Sequence, residues 1–385
     1  MVEFVAVRTS PQAEGSGAES FALWPPLVAD HDRPTTYKPA PGLAEAVDVA
    51  MLLGVPLLLT GEPGTGKTRA AFWLAHELGL GRPLKSDVKS GTTGVDLLYS
   101  FDEVARFRDA SQNEIRPLID YVRFNALGLG ILRGGGDSAP LTDLFGNPPD
   151  EALLVRAFGK SAAGEAPRAG LLLPGGGLGE AVHSVVLIDE LDKAPRDTPN
   201  DLLAEFETLQ FAIPELGLKL TPGIKRPIVI LTSNSERSLP EPFLRRCAYF
   251  DIPFPNPDQL AEIVSATLGG YRPDEQEEAL EEGASAATVD ERRASFAPDS
   301  PLVQEAVTAF LQIHDTPQLR KKPGTAELLA WFDILLNHVG LGPGMSLSTA
   351  VRTRPKEIER TLCALLKSAE DLDIGRRILR QAASG

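Results

Sequence analysis

Hydrophobic positions in this chain follow two rhythms. Short unbroken apolar runs, "GVPLLLT" at 54–60, "SVVLID" at 184–189 and "PIVILTS" at 227–233, have the length and side-chain content of strands buried on both faces. Elsewhere apolar residues return at helical spacing. A helix is predicted over 43–53, and another follows with Ala71, Leu74, Ala75 and Leu78 along one face. From 301 onward only the helical rhythm continues, as in Leu328, Phe332, Leu335 and Val339, or Ile358, Leu362 and Leu365. Buried strands alternating with helices predict an α/β domain with a parallel sheet over about 36–256, and the remainder predicts a helical domain over about 257–385.

Breaks in the rhythm mark the loops. Residues 8–41 are rich in Pro, Ser, Gly and Ala, so 1–35 reads as a loosely ordered leader. Glycine and proline also punctuate 133–182 ("RGGGDSAP", "GNPPD", "LLLPGGGLG"), which reads as an insertion with mobile loops within the α/β domain. The acidic run inside 272–298 reads as a solvated helix or loop. No short internal repeat is visible.

The first apolar run ends in "GEPGTGKT", 61–68, which fits G-x-x-x-x-G-K-[ST] in the required strand-loop-helix setting. Gly61, Glu62, Pro63, Gly64, Thr65 and Gly66 form a loop whose backbone N–H groups can converge on one anion, helped by the positive end of the following helix. Lys67 is the point charge for the β- and γ-phosphates of a nucleotide, and the Thr68 hydroxyl is a ligand for Mg²⁺. The second run ends in Asp189 and Glu190, at the strand end where open α/β sheets hold their ligands. Asp189 is the second candidate Mg²⁺ ligand, directly or through water, and Glu190 the candidate base for an attacking water. The third run leads to Asn234, able to hydrogen-bond that water or a γ-phosphate oxygen. Arg245 and Arg246 follow a proline-bounded helix start, from which a guanidinium can reach a neighbouring subunit's nucleotide. These segments predict a nucleoside triphosphatase that uses Mg²⁺.

Composition narrows the partners. The 385 residues are 43% hydrophobic and 24% charged, ordinary for a globular protein of two or three domains. A formal net charge of −15 argues against a broad basic surface for duplex DNA. No apolar stretch reaches the roughly 18 residues of a membrane span, and the start lacks a signal-peptide pattern, so the expected location is cytoplasmic. Cys247 and Cys363 are too few for a disulfide framework and read as reduced packing residues.

The order GEPGTGKT, VVLIDELDKA, ILTSN and FLRRC resembles the AAA+ ATPases, and "LIDELDKAPRDTPNDLLAEFE" with "TSNSERSLPEPFLRRC" and "IPFP" resembles their MoxR branch. The resemblance spans about 36–256 strongly and the helical remainder weakly. It implies a P-loop AAA+ core followed by a helical lid, with Lys67 and Thr68 in Walker A, Asp189 and Glu190 in Walker B, Asn234 as sensor 1 and Arg246, or second Arg245, as arginine finger. It places extra elements at 97–107 and 133–182 and a hairpin within 206–227. It further implies a homo-oligomeric ring, a hexamer, that remodels or matures a protein client, with a von Willebrand factor A type partner. In the lid, "RKKPGTAELLAW" (320–331) has Ala326 where such proteins offer an arginine, leaving Arg320, Lys321 and Lys322 as substitutes. Two other functions use the same core. A nucleic-acid motor or loader needs basic inserted loops, and Arg116, Arg123, Arg133, Lys160 and Arg168 are a thin scatter; a slowly hydrolysing switch or scaffold of a defence assembly fits the altered lid.

Overall fold

A computed structural model describes residues 34–114, 116–173, 178–221, 223–234, 239–269, 297–342 and 344–383. The leader up to residue 33 and the acidic segment from 272 to 296 lie outside the described residues. Contacts divide the chain into two compact units, one of Pro39–Glu62 with Lys67–Pro253, the other of 34–38, 63–66 and the described residues from 254 on.

The first unit is α/β. Its five-stranded sheet has the order β10-β1-β9-β6-β2, with β1 (Leu57–Thr60), β2 (Leu84–Asp87), β6 (Val185–Asp189), β9 (Ile228–Thr232) and β10 (Ala248–Asp251), and every pairing is parallel. The three predicted apolar runs are β1, β6 and β9, and they occupy the centre, where both faces are covered. Helix α1 (Leu43–Leu53) packs on β1 and β10, α2 (Lys67–Glu77) on β6 and β9, and α5 (Ala126–Gly135) on β2 and β6. Leu78 falls beyond the end of α2 and is exposed, so it does not share the buried stripe of Ala71, Leu74 and Ala75. The glycines of α5 serve close approach: a methyl on Gly128 would lie 2.1 Å from the Leu98 carbonyl oxygen, and one on Gly134 would lie 2.0 Å from that of Lys225.

Smaller elements hang on this sheet. After α3 (Gly94–Leu98), β3 (Tyr99–Phe101) and β4 (Val122–Phe124) pair antiparallel around α4 (Glu103–Ser111). A hairpin of β7 (Phe211–Ile213) and β8 (Leu218–Leu220) is joined by β5 (Leu141–Asp143) on the β8 side. Residues 133–182 are more structured than their glycine and proline content predicts. They hold β5 and α6 (Glu151–Phe158), the latter capped by the Asp150 carboxylate accepting from Leu153 N–H at 2.7 Å. Leu141, Leu154, Phe158 and Leu172 join the same buried cluster as Val186 and Leu231 of the sheet. Three short helices complete the unit: α7 (Thr198–Asp201), α8 (Leu203–Thr208) and α9 (Glu241–Leu244).

The second unit is helical: α10 (Pro257–Gly269), α11 (Pro301–His314), α12 (Thr325–Asp333), α13 (Leu347–Thr353), α14 (Pro355–Thr361) and α15 (Ala369–Ala382). The positions of the helical rhythm, from Leu328 and Phe332 to Ile358 and Leu362, are buried in one cluster. Trp331 Nε1 donates to Thr361 Oγ1 at 2.7 Å, so the indole is buried with its polar atom satisfied. Among the described residues no helix is long and apolar enough to cross a membrane. Cys247 is half-buried and its thiol pKa is pushed up to about 12 by burial, whereas Cys363 is exposed and is not a packing residue.

Candidate functional site

The loop between β1 and α2 turns at three glycines with positive φ, Gly61 (136°), Gly64 (83°) and Gly66 (91°), conformations that L side chains avoid. Glu62, Pro63 and Gly64 are exposed at its crown, while Thr65 is buried. Lys67 opens α2 and is buried, and its ammonium donates to the carbonyl oxygens of Gly61 at 2.8 Å and Glu62 at 2.9 Å. Burial pulls the Lys67 pKa below its usual value, opposed by the charges of Asp192, Asp189, Asp251 and Glu190. The ammonium is thus buried among acids and held by two backbone carbonyls, which satisfy it in the absence, among the described residues, of a carboxylate partner within hydrogen-bond distance.

Asp189 ends β6 and is the hub of the site. The Thr68 hydroxyl lies 3.0 and 3.1 Å from its two oxygens, the Thr232 hydroxyl donates to Oδ1 at 2.6 Å, and the Lys85 ammonium lies 3.2 Å from Oδ2. Lys85 also pairs with Asp87 at 2.7 Å. Burial acts to lower the Lys85 pKa, but the hydrogen bond to Asp87 and the pull of Asp189 outweigh it and leave it raised. Among the described residues no group of three or more His, Cys, Asp or Glu is placed to hold a metal ion. The Thr68 and Asp189 pair supplies two hard oxygen donors, which suits Mg²⁺, an ion that completes its octahedron with water and phosphate oxygens.

Glu190 is half-buried, directly follows the sheet and adopts φ 60°, ψ 48°, a left-handed turn that carries the chain out of β6. Its N–H donates to Thr232 Oγ1 at 2.8 Å, so one threonine braces both acids. The Glu190 carboxylate is bonded to the Lys193 ammonium three residues on. Asn234 lies two residues past β9, where its N–H donates to Asp192 Oδ1 at 3.3 Å. Asp192, 5% exposed, ties the chain leaving β9 to the chain leaving β6.

The structure thus brings Lys67, Thr68, Asp189, Glu190 and Asn234 to one end of the parallel sheet. It does not bring Arg245 and Arg246 to them. Arg245 pairs with Glu241 within the α9 turn, and Arg246 pairs with Glu207 of α8, both on exposed surface. In the helical unit Arg320 pairs with Glu370 at 2.6 Å, while Lys321 and Lys322 are exposed. Three members of the site, Thr232, Lys85 and Asp192, were not marked out by the sequence. The signal for Lys85 is a Lys and an Asp two apart in "LKSD", a charged pair on one face of a short strand. Thr232 and Asp192 sit inside segments already singled out, but their roles come from register between β6 and β9.

The architecture is α/β, a five-stranded parallel sheet flanked by helices, compatible with a P-loop core. No protein-family model matches the chain, and no curated protein matches it.

Proposed function

We propose that this protein binds ATP with Mg²⁺ and hydrolyses it, as a MoxR-like AAA+ ATPase. One observation carries the reading: the glycine loop, its lysine and the Thr68–Asp189 pair converge at the end of the sheet, at 3.0 Å between hydroxyl and carboxylate. Loop N–H groups and Lys67 bind the phosphates, the lysine exchanging its two carbonyl partners for phosphate oxygens. Thr68 and Asp189 hold Mg²⁺, which supplies charge neutralisation on the phosphates. Glu190 accepts the proton of the attacking water once it leaves Lys193, and Asn234 orients that water. Arg246 completes the site of a neighbouring subunit, exchanging Glu207 for the developing charge on the phosphate. On this reading the helical unit is the lid, the chain works as a homo-oligomeric ring of six, and turnover remodels a protein client with a von Willebrand factor A type partner.

Calorimetric titration of ATP into the parent and Lys67→Ala tests the reading. The variant keeps the circular dichroism of the parent and loses binding. ATP affinity that survives the substitution removes the loop as the binding site.

A further inference from the structure

Asp189 has one partner that the phosphate-binding reading does not use. In the register of β2 against β6, Asp87 stands opposite Asp189 and Lys85 opposite Leu187. Lys85 and Asp87 are two apart on a strand and share a face, so the ammonium spans two carboxylates, 2.7 Å from Asp87 Oδ1 and 3.2 Å from Asp189 Oδ2. Asp189 Oδ1 is engaged by the Thr232 hydroxyl at 2.6 Å, and the Thr68 hydroxyl approaches both oxygens. Oδ2 carries no hydroxyl besides Thr68, so it is the oxygen a metal beside Thr68 would take, and the Lys85 ammonium already stands on it. An ammonium and a divalent cation at one carboxylate oxygen repel strongly in a site where Asp189 is only 7% exposed. Lys85 has somewhere to go, because the Asp87 side chain is 67% exposed and free to follow it outward.

We propose that Lys85 is a built-in counter-ion for the metal-free site: it holds Asp189 Oδ2 until a divalent cation arrives, then retreats onto Asp87. Metal affinity is thereby set by the competition between the Lys85–Asp189 and Lys85–Asp87 pairs. Lys85 is a positioning residue, and the idea rests on the Mg²⁺–nucleotide reading of the site.

The test measures Mn²⁺ binding to the full chain by electron paramagnetic resonance, with and without ADP, for the parent, Lys85→Met and Asp87→Asn. Lys85→Met lowers the half-saturating Mn²⁺ concentration by roughly fivefold or more, about the worth of one partly exposed ion pair. Asp87→Asn raises it by a similar factor, because Lys85 then has only Asp189. A lysine with a merely structural role moves metal binding the other way, weakening it when removed. The proposal is overturned if Lys85→Met leaves half-saturation within twofold or raises it, if Asp87→Asn lowers it or leaves it unchanged, or if no chain takes up Mn²⁺. Should Lys85→Met fail to fold, the Asp87→Asn arm decides alone. Binding of a fluorescent ADP analogue in the presence of Mg²⁺ is read separately. Its absence in the parent rejects the nucleotide reading, whereas its presence with unmoved Mn²⁺ curves rejects only the role of Lys85.

Discussion

Thr232→Val isolates a single hydroxyl at the heart of the site. Thr232 is 1% exposed, donates to Asp189 Oδ1 at 2.6 Å and accepts from the Glu190 N–H at 2.8 Å. Valine preserves the shape and removes both bonds. A hydrogen bond to a charged group contributes about 1.5–3 kcal/mol, and a buried N–H left without a partner costs about 1–3 kcal/mol. Asp189 keeps Thr68 and Lys85, and Glu190 is half-buried, which draws the sum toward its lower part, about 2.5–4 kcal/mol. Hydrogen exchange read by mass spectrometry on peptides spanning 184–191 and 227–234 reports the opening of β6 and β9 directly. Converted at 1.4 kcal/mol per decade, the change is an acceleration of roughly 60- to 700-fold. Thr232→Ser keeps the hydroxyl and loses one methyl, so its peptides exchange within about tenfold of the parent. Equal acceleration in the valine and serine variants would refute the reasoning, since the hydroxyl would then carry no weight.

Two further predictions concern other parts of the chain. If Arg246 acts on a neighbour, Arg246→Ala and Lys67→Ala are each nearly inactive in ATP hydrolysis, but mixing them restores part of the turnover; mixed assemblies that form and stay inactive exclude action in trans. In the helical unit Arg380 donates to both oxygens of buried Glu359, at 2.6 and 2.9 Å, which holds that carboxylate below its usual pKa of 4.5. A depressed folded-state pKa means stabilisation present above about 4.5 and lost as pH falls through the lowered value. Glu359→Gln should therefore melt below the parent at pH 7 by circular dichroism, with the gap narrowing on acidification below pH 4; a gap independent of pH would contradict the assignment.

What could be read from the sequence was local in origin. β1, β6 and β9 announce themselves as apolar runs because each is covered on both faces, and the glycine loop because its positive φ values admit little else. The edge strands β2 and β10, "LKSD" and "AYFD", alternate between half-buried and exposed residues, so no apolar run marks them. Lys85, Thr232 and Asp192 gain their meaning only from which strand lies beside which, information that no single segment contains. The glycine and proline density of 133–182 misled in the opposite direction: the breakers delimit short elements such as α6, whose Leu154 and Phe158 still reach the core. Arg246 could be placed near a helix end, but its pairing with Glu207 depends on α8, 39 residues earlier in the chain.

Phosphate release from ATP with Mg²⁺, measured beside ATP binding on the same preparations of parent and Glu190→Gln, tests the central claim most directly. The account predicts repeated turnover by the parent, and in the variant retained ATP binding with turnover lower by roughly two orders of magnitude or more. A parent that binds no ATP, or a variant that turns over within a few-fold of the parent, would contradict it.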